Sequence, residues 1–253
     1  MTAPSVTFNG QVCTVELAEP AKLNPLGPEV LEGLEAVFAQ LRSDGDTRVL
    51  VLRGQGKAFS AGADVRAWPP PEEPWQEQRL RRARWQRLLD ELEALPQVSV
   101  ARLHGHVIGG AALLAISCDL RVAGDDLRFR IPELALGIPL TWGGLPRLAR
   151  EIGLPRTRDL VLTGRTLNAQ EALEWGVVTR VAHADELDRE VAEVVESLLE
   201  PPTAVTSMTR SSLAAIGRDH MTAAGWADVD VYLGAIARPE SAAARQRRVG
   251  HLT

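Results

Sequence analysis

The chain has 253 residues, of which 45% are hydrophobic, 24% charged and 4% aromatic, a composition that excludes a disordered, collagenous or coiled-coil protein. Lys and Arg number 28 against 33 Asp and Glu, so the formal charge is −5, the wrong sign for a chain that coats nucleic acid. The longest apolar runs, Val49 to Leu52 and Ala111 to Ile116, fall far short of the roughly 20 residues that cross a bilayer, so neither a nucleic-acid nor a membrane partner is expected.

The N-terminus lacks the basic-then-apolar layout of a secretion signal. Cys13 and Cys118 are the only cysteines and form no Cys-x-x-Cys, so neither a disulfide framework nor a cysteine zinc site is expected. A reducing, cytoplasmic location fits both observations. The length suits one large domain, with or without a small appendage.

In chain order, Ser5 to Phe8 and Val12 to Leu17 are short β-prone runs joined at Asn9-Gly10, a hairpin signal. Pro28 opens a helix with Val30, Leu31, Leu34, Val37, Phe38 and Leu41 at helical spacing, and Asp44-Gly45-Asp46 ends it. Val49-Leu50-Val51-Leu52 is continuously apolar, as a buried parallel strand requires. The segment Trp68 to Trp75 holds Pro69, Pro70, Pro71 and Pro74, a stiff connector. Arg79, Arg81, Arg82, Arg84 and Arg87 follow on a predicted helix, as a solvated face or a phosphate contact. Val98 to Leu103 reads as a strand, Gly109 to Ser117 as a small-residue helix start, and Leu120 to Ala123 as another strand. From about residue 144 the periodicity is helical almost throughout. Alternation followed by a helical tail predicts α/β structure for roughly the first 200 residues and helices for about the last 50.

Three segments carry candidate chemistry. Gly54 to Asp64 follows the buried strand, and its small residues let backbone N–H groups approach a ligand oxygen; the alternative is a plain strand-to-helix turn. A rival reading makes Ala58-Phe59-Ser60-Ala61-Gly62 a degenerate serine nucleophile elbow, although its first glycine is missing. Gly105-His106-Val107-Ile108-Gly109-Gly110 matches neither a dinucleotide nor a Walker loop, but it places free N–H donors at a helix start or else serves close packing. In Arg130-Ile131-Pro132-Glu133-Leu134 a carboxylate sits among apolar residues; burial would raise its pKa into a range useful for proton transfer, whereas an exposed loop Glu would do nothing. His104 and His106 share one strand face, but no histidine has metal-ligand spacing, so no metal site is expected. The tryptophans serve as core or pocket wall.

In this order and spacing the three segments resemble the enoyl-CoA hydratase/isomerase (crotonase) superfamily, from Pro20-Ala21-Lys22-Leu23-Asn24-Pro25 to the C-terminal helices. The resemblance implies an α/β fold: a crotonase-like spiral of ββα units over residues 1–200 and a C-terminal helical trimerisation region over residues 201–253. It also implies a homotrimer or hexamer acting on an acyl-CoA thioester, with coenzyme A as part of the substrate and no separate cofactor. The backbone N–H groups of Ala63 and Gly110 would hold the thioester oxygen, since proton removal alpha to the thioester makes an enolate that two fixed donors stabilise. One such donor is worth about 10²–10³ in rate. Lys22 and the loop of Ser60, Ala61, Gly62 and Asp64 lie where relatives touch the nucleotide of CoA. Gly109 belongs to the second donor's turn, Trp142 lines the acyl pocket with Trp68 and Trp85, and Arg248 sits near a basic position that reaches a neighbouring subunit's CoA phosphate.

One departure from the family pattern bears on the reaction. Hydratases of the family have a pair of glutamates; here Leu113 stands at the first position and Glu133 at the second. A single carboxylate suffices for a 1,3-proton shift, so the resemblance points to isomerisation of a 3-enoyl-CoA to a 2-enoyl-CoA with Glu133 as sole acid/base. A hydratase or other crotonase-type lyase with a second, unrecognised group is one alternative. A non-catalytic acyl-CoA-binding protein is another.

Overall fold

The computed structural model describes residues 2–64, 74–218 and 228–238, together with Ser241, Ala244 and Gln246. Trp68, Arg248 and most of the proline connector lie outside the described residues. Strands β1 (Ser5–Asn9) and β2 (Val12–Leu17) pair antiparallel as the hairpin pattern predicts, with Gly10 at φ 55° in the turn. Helix α1 (Pro28–Ser43) begins at its proline and buries Val30, Leu31, Leu34, Val37, Phe38 and Leu41, the face that the spacing predicts. It stops at Asp44, whose carboxylate accepts from the N–H groups of Asp46 and Thr47 and from the Thr47 hydroxyl.

Strand β3 (Val49–Gly54) lies between β2 and β5 (Val98–Leu103), parallel to both. Its alternate side chains enter two cores. Leu50 and Leu52 join the main core with Phe38 and Leu92, while Val49 and Val51 pack with Val100, Val122, Leu187, Val191 and Val194 on the opposite face. With both faces covered, Val49 to Leu52 are all apolar, hence the unbroken run; Arg53, at the end of the strand, is only partly buried and pairs with Glu16. Strands β7 (Leu120–Gly124) and β10 (Arg180–Ala182) complete a six-stranded sheet in the order β1-β2-β3-β5-β7-β10.

A second sheet, β4-β6-β8-β9, consists of Ala58–Ser60, His106–Ile108, Arg128–Arg130 and Thr166–Leu167. The chain therefore winds as a spiral. Each turn gives one strand to each sheet and then a helix: β3, β4 and α2 (Trp75–Ala94), then β5, β6 and α3 (Gly110–Ile116), then β7, β8 and α4 (Gly144–Thr163), which kinks at Gly153. Helices α5 (Ala169–Trp175), α6 (Leu187–Leu199), α7 (Thr203–Arg218) and α8 (Asp228–Ile236) follow.

Three sequence expectations need correction. The region after residue 144 is interrupted by β9 and β10, which are too short to show a strand period against their helical surroundings. His104 and His106 do not share a strand face: β5 ends at Leu103, Gly105 turns the chain at φ 52°, and β6 starts at His106. His104 is buried between the Arg102 guanidinium and the Gly56 carbonyl, and burial pulls its pKa down, whereas His106 is exposed. The arginines of α2 are not simply a solvated face either. Arg84 forms a two-pronged pair with Glu35 of α1, and the Arg82 guanidinium lies 3.8 Å from the centre of the Tyr232 ring of α8.

Candidate active site

The loop after β4 is shaped by Asn24, a 1%-exposed residue at φ 52°. Its Nδ2 donates to the carbonyls of Gln55, Ala58 and Phe59, and its Oδ1 accepts from the Glu19 amide. Ser60 is fully buried; its hydroxyl donates to the Asn24 carbonyl and accepts from the Gly62 amide. That hydroxyl fixes the loop, and it is not presented as a nucleophile, so the serine-elbow reading fails. Beyond it, Leu26 N–H donates to Gly62 O at 2.8 Å and Asp64 N–H to Leu26 O at 3.2 Å. In such a parallel bridge the residue between the two bonded ones turns its own amide the other way, and that residue is Ala63.

The second amide faces the same place. Gly62, at φ 88°, passes so close to β6 that a Cβ on it would lie 2.3 Å from Ile108 O and 3.5 Å from Gly110 N. Gly109, at φ 56°, turns the chain into α3, and Gly110 is the first residue of that helix, where an amide has no carbonyl one turn earlier to bond. Among the described residues neither the Ala63 nor the Gly110 N–H has a hydrogen-bond partner.

Glu133 begins a 3₁₀ turn, Glu133–Leu136, that Gly137 ends at φ 70°. The side chain is only 9% exposed, and its Oε2 has no hydrogen-bond partner among the described residues. Burial pushes its pKa up to about 7, and its own backbone amide offsets this only in part. The carboxyl rests against the glycine turn: a Cβ on Gly109 would be 2.6 Å from Glu133 Oε1. Tyr232 of helix α8 lines the same cavity as Glu133 and packs with Val229 and Leu233 on Ile138.

Glu133, Ala63 and Gly110 thus line one small cavity of roughly 50 Å³, whose other walls include Leu113, Ile138, Leu140 and Trp142. A neighbouring cavity of roughly 110 Å³ runs past Leu26, Ala63, Asp64 and Trp85 and is bordered by Arg81, Arg82 and Arg84. The Trp142 ring stacks on Trp85 with centroids 4.7 Å apart and planes 13° apart.

Of the residues singled out from the sequence, Ala63, Gly109, Gly110, Glu133 and Trp142 converge here, Asp64 borders the larger cavity, and Ser60 and Gly62 form the loop beneath. Ala61 is exposed beside them, its amide bonded to Leu23 O. Lys22 is half exposed and paired with Glu19. Sequence reasoning missed Asn24, Arg147 and Tyr232. Each has partners far along the chain, such as Ala58 for Asn24, Glu93 for Arg147 and Arg82 for Tyr232, and no local pattern marks those. Among the described residues no group of three or more His, Cys, Asp or Glu side chains is arranged to hold a metal, and no helix is long and apolar enough to cross a membrane.

The buried carboxyl has a measurable cost. A folded pKa of about 7 against an ordinary 4.5 means that burial is free of penalty below pH 4.5, where both states are protonated. The penalty grows as pH rises through that window and is complete above 7, on the order of 3 kcal/mol. Glu133→Gln is therefore expected to leave stability unchanged near pH 4 and to raise it by up to that amount at pH 8. Urea titrations at the two pH values check this; equal midpoint shifts at both would show that the carboxyl is solvated.

The sequence profile of the enoyl-CoA hydratase/isomerase family matches residues 7–245. A probable enoyl-CoA hydratase of Bacillus subtilis (strain 168) is 32% identical over 196 residues, 78% of this chain and 73% of that protein. The 4-chlorobenzoyl coenzyme A dehalogenase-1 of an Arthrobacter sp is 32% identical over 212 residues, 83% of this chain and 76% of the relative. Among solved structures, an enoyl-CoA hydratase from Mycobacterium avium subsp. paratuberculosis K-10 superposes with a TM-score of 0.88 at 25% identity, covering 97% of this chain and 98% of that one. A two-sheet ββα spiral, two free amides beside a buried carboxyl and a match over nearly the whole length lead to one conclusion: the chain belongs to the enoyl-CoA hydratase/isomerase family of enzymes.

Proposed function

We propose that the protein isomerises a 3-enoyl-CoA to the 2-enoyl-CoA, with Glu133 as the only acid/base and the Ala63 and Gly110 amides holding the thioester oxygen. The observation that carries this reading is the cavity wall: among the described residues Glu133 is the sole carboxyl lining it, and Leu113 faces the same space. Glu133 as carboxylate takes a proton from C2. The electron pair spreads from C2 over the thioester carbonyl and the C3–C4 double bond, and the charge on oxygen meets the two amides. The carboxyl then returns the proton at C4, which leaves the double bond between C2 and C3. No water is consumed, so no second group is needed to activate one. A pKa of about 7 suits a group that must accept and then donate at neutral pH.

The names of the relatives favour a second reading, since several are described as enoyl-CoA hydratases. One pair of assays separates the two. With a 3-enoyl-CoA, isomerisation raises the absorbance of the conjugated thioester; with crotonyl-CoA, hydration lowers it. A rise in the first and no change in the second is the expected result. Turnover of crotonyl-CoA alone would replace isomerisation with hydration.

A further inference from the structure

The indole of Trp142 is held in place to an extent that its role as a pocket wall does not by itself require. Its backbone is left-handed at φ 58°, and Gly143 follows at φ 65°. Both carbonyls of this turn accept from Arg147 Nη1, at 2.8 and 3.3 Å. Arg147 has no exposed surface, and its remaining donors engage carboxylates: Nε to Glu93 at 3.0 Å and Nη2 to Asp90 at 2.5 Å. Glu93 bonds in turn to Arg150, which bonds to Glu151, and Glu151 pairs with the buried Arg121. The turn that carries Trp142 is therefore tied to a chain of ion pairs anchored on the buried Arg147, and it cannot shift without breaking the bonds of that guanidinium.

The ring itself is held at two places. One face stacks on Trp85, and its six-membered ring comes so close to Gly110 that a Cβ placed there would fall 2.3 and 2.6 Å from its carbons. Trp142 lines both the Glu133 cavity and the larger neighbouring one, and so stands as the partition between them. The Glu133 compartment, at roughly 50 Å³, is about half the size of its neighbour at roughly 110 Å³, so an acyl chain that outgrows it must displace the indole or pass it.

We propose that Trp142, positioned by the buried Arg147, is the specificity-determining residue that restricts the enzyme to short acyl chains. This rests on the reading that the Glu133 cavity receives the acyl group, and it is tested by binding so that its fate is separate from that of the isomerase assignment. The ligands are butyryl-, hexanoyl- and decanoyl-CoA, saturated thioesters that cannot be isomerised, with free CoA as reference, all measured by calorimetry on the full chain. The wild type is expected to bind decanoyl-CoA at least tenfold more weakly than butyryl-CoA. Trp142→Gly suits the left-handed backbone and joins the two cavities, so it should bring the two affinities within about threefold while leaving free CoA unaffected. Trp142→Phe should fall between.

Arg147→Lys keeps the charge but cannot bond the Trp142 and Gly143 carbonyls and Glu93 together in one rigid fork. It should flatten the chain-length dependence as Trp142→Gly does, and weaken the circular-dichroism couplet of the stacked indoles. A general loss of stability would move neither ratio nor couplet. Equal wild-type affinity for decanoyl- and butyryl-CoA, or an unchanged profile in Trp142→Gly, overturns the proposal whichever reaction the enzyme catalyses. A flattened profile in Trp142→Gly but not in a folded Arg147→Lys removes Arg147 from it.

Discussion

Glu133→Gln is expected to lower kcat on a 3-enoyl-CoA by about 10²–10⁴, the usual contribution of one positioned acid/base. The amide fills the same volume, so the protein should fold and hold an acyl-CoA with near-original affinity. The loss should appear in kcat and in kcat/KM alike, because the interaction removed is with a proton in flight and not with the ground state. In the wild type the first step needs the carboxylate, so the rate should rise with pH through about 7 and level off above it. In Glu133→Gln that titration should vanish from whatever rate remains. Stopped-flow absorbance of the conjugated thioester across pH 5–9 measures both effects. Full activity in the variant would take Glu133 out of the chemistry and leave the two amides without an acid.

Arg147→Met should have the largest effect on stability. The guanidinium is fully buried against Glu93 and Asp90, and removing it takes one of two cations from Glu93, which keeps Arg150, and the shared donor from two backbone carbonyls. Breaking a buried pair by deleting one partner costs on the order of 3–5 kcal/mol. For a chain of this size that corresponds to a melting temperature lower by roughly 10 °C. Urea unfolding at fixed protein concentration is the measurement, since subunit association would shift the midpoint. Adding Glu93→Gln to Arg147→Met should restore part of the loss, because the buried carboxylate beside the missing guanidinium is then neutral. A strictly additive double variant would show that the two side chains do not act as a pair.

Local pattern alone made α1, the first hairpin and the buried strand β3 legible. In each, the signal repeats within a few residues: apolar positions at helical spacing up to Leu41, Asn9-Gly10 between alternating runs, and four apolar residues in a row from Val49. The second sheet was not legible, because β4, β6 and β8 have three residues each and their pairing partners lie far apart in sequence. At the site, the residue types of the two amides and of Glu133 could be named from their motifs. Whether Glu133 was a buried acid or a loop carboxylate could not, since the glycine turn that its carboxyl rests against and Tyr232 in the same cavity come from distant segments.

The sequence by itself determined that this is an α/β chain with a modest net charge of −5, two small-residue loops and Glu133 among apolar neighbours. Only the tertiary structure decided that Ser60 serves the loop, that the Ala63 and Gly110 amides have no hydrogen-bond partner among the described residues, and that burial pushes the Glu133 pKa up to about 7. The reason is physical. Propensity and period are properties of neighbours in the chain, whereas desolvation, an unused N–H and a ring held against Gly110 and Trp85 depend on which distant segments the fold brings to the same few ångströms.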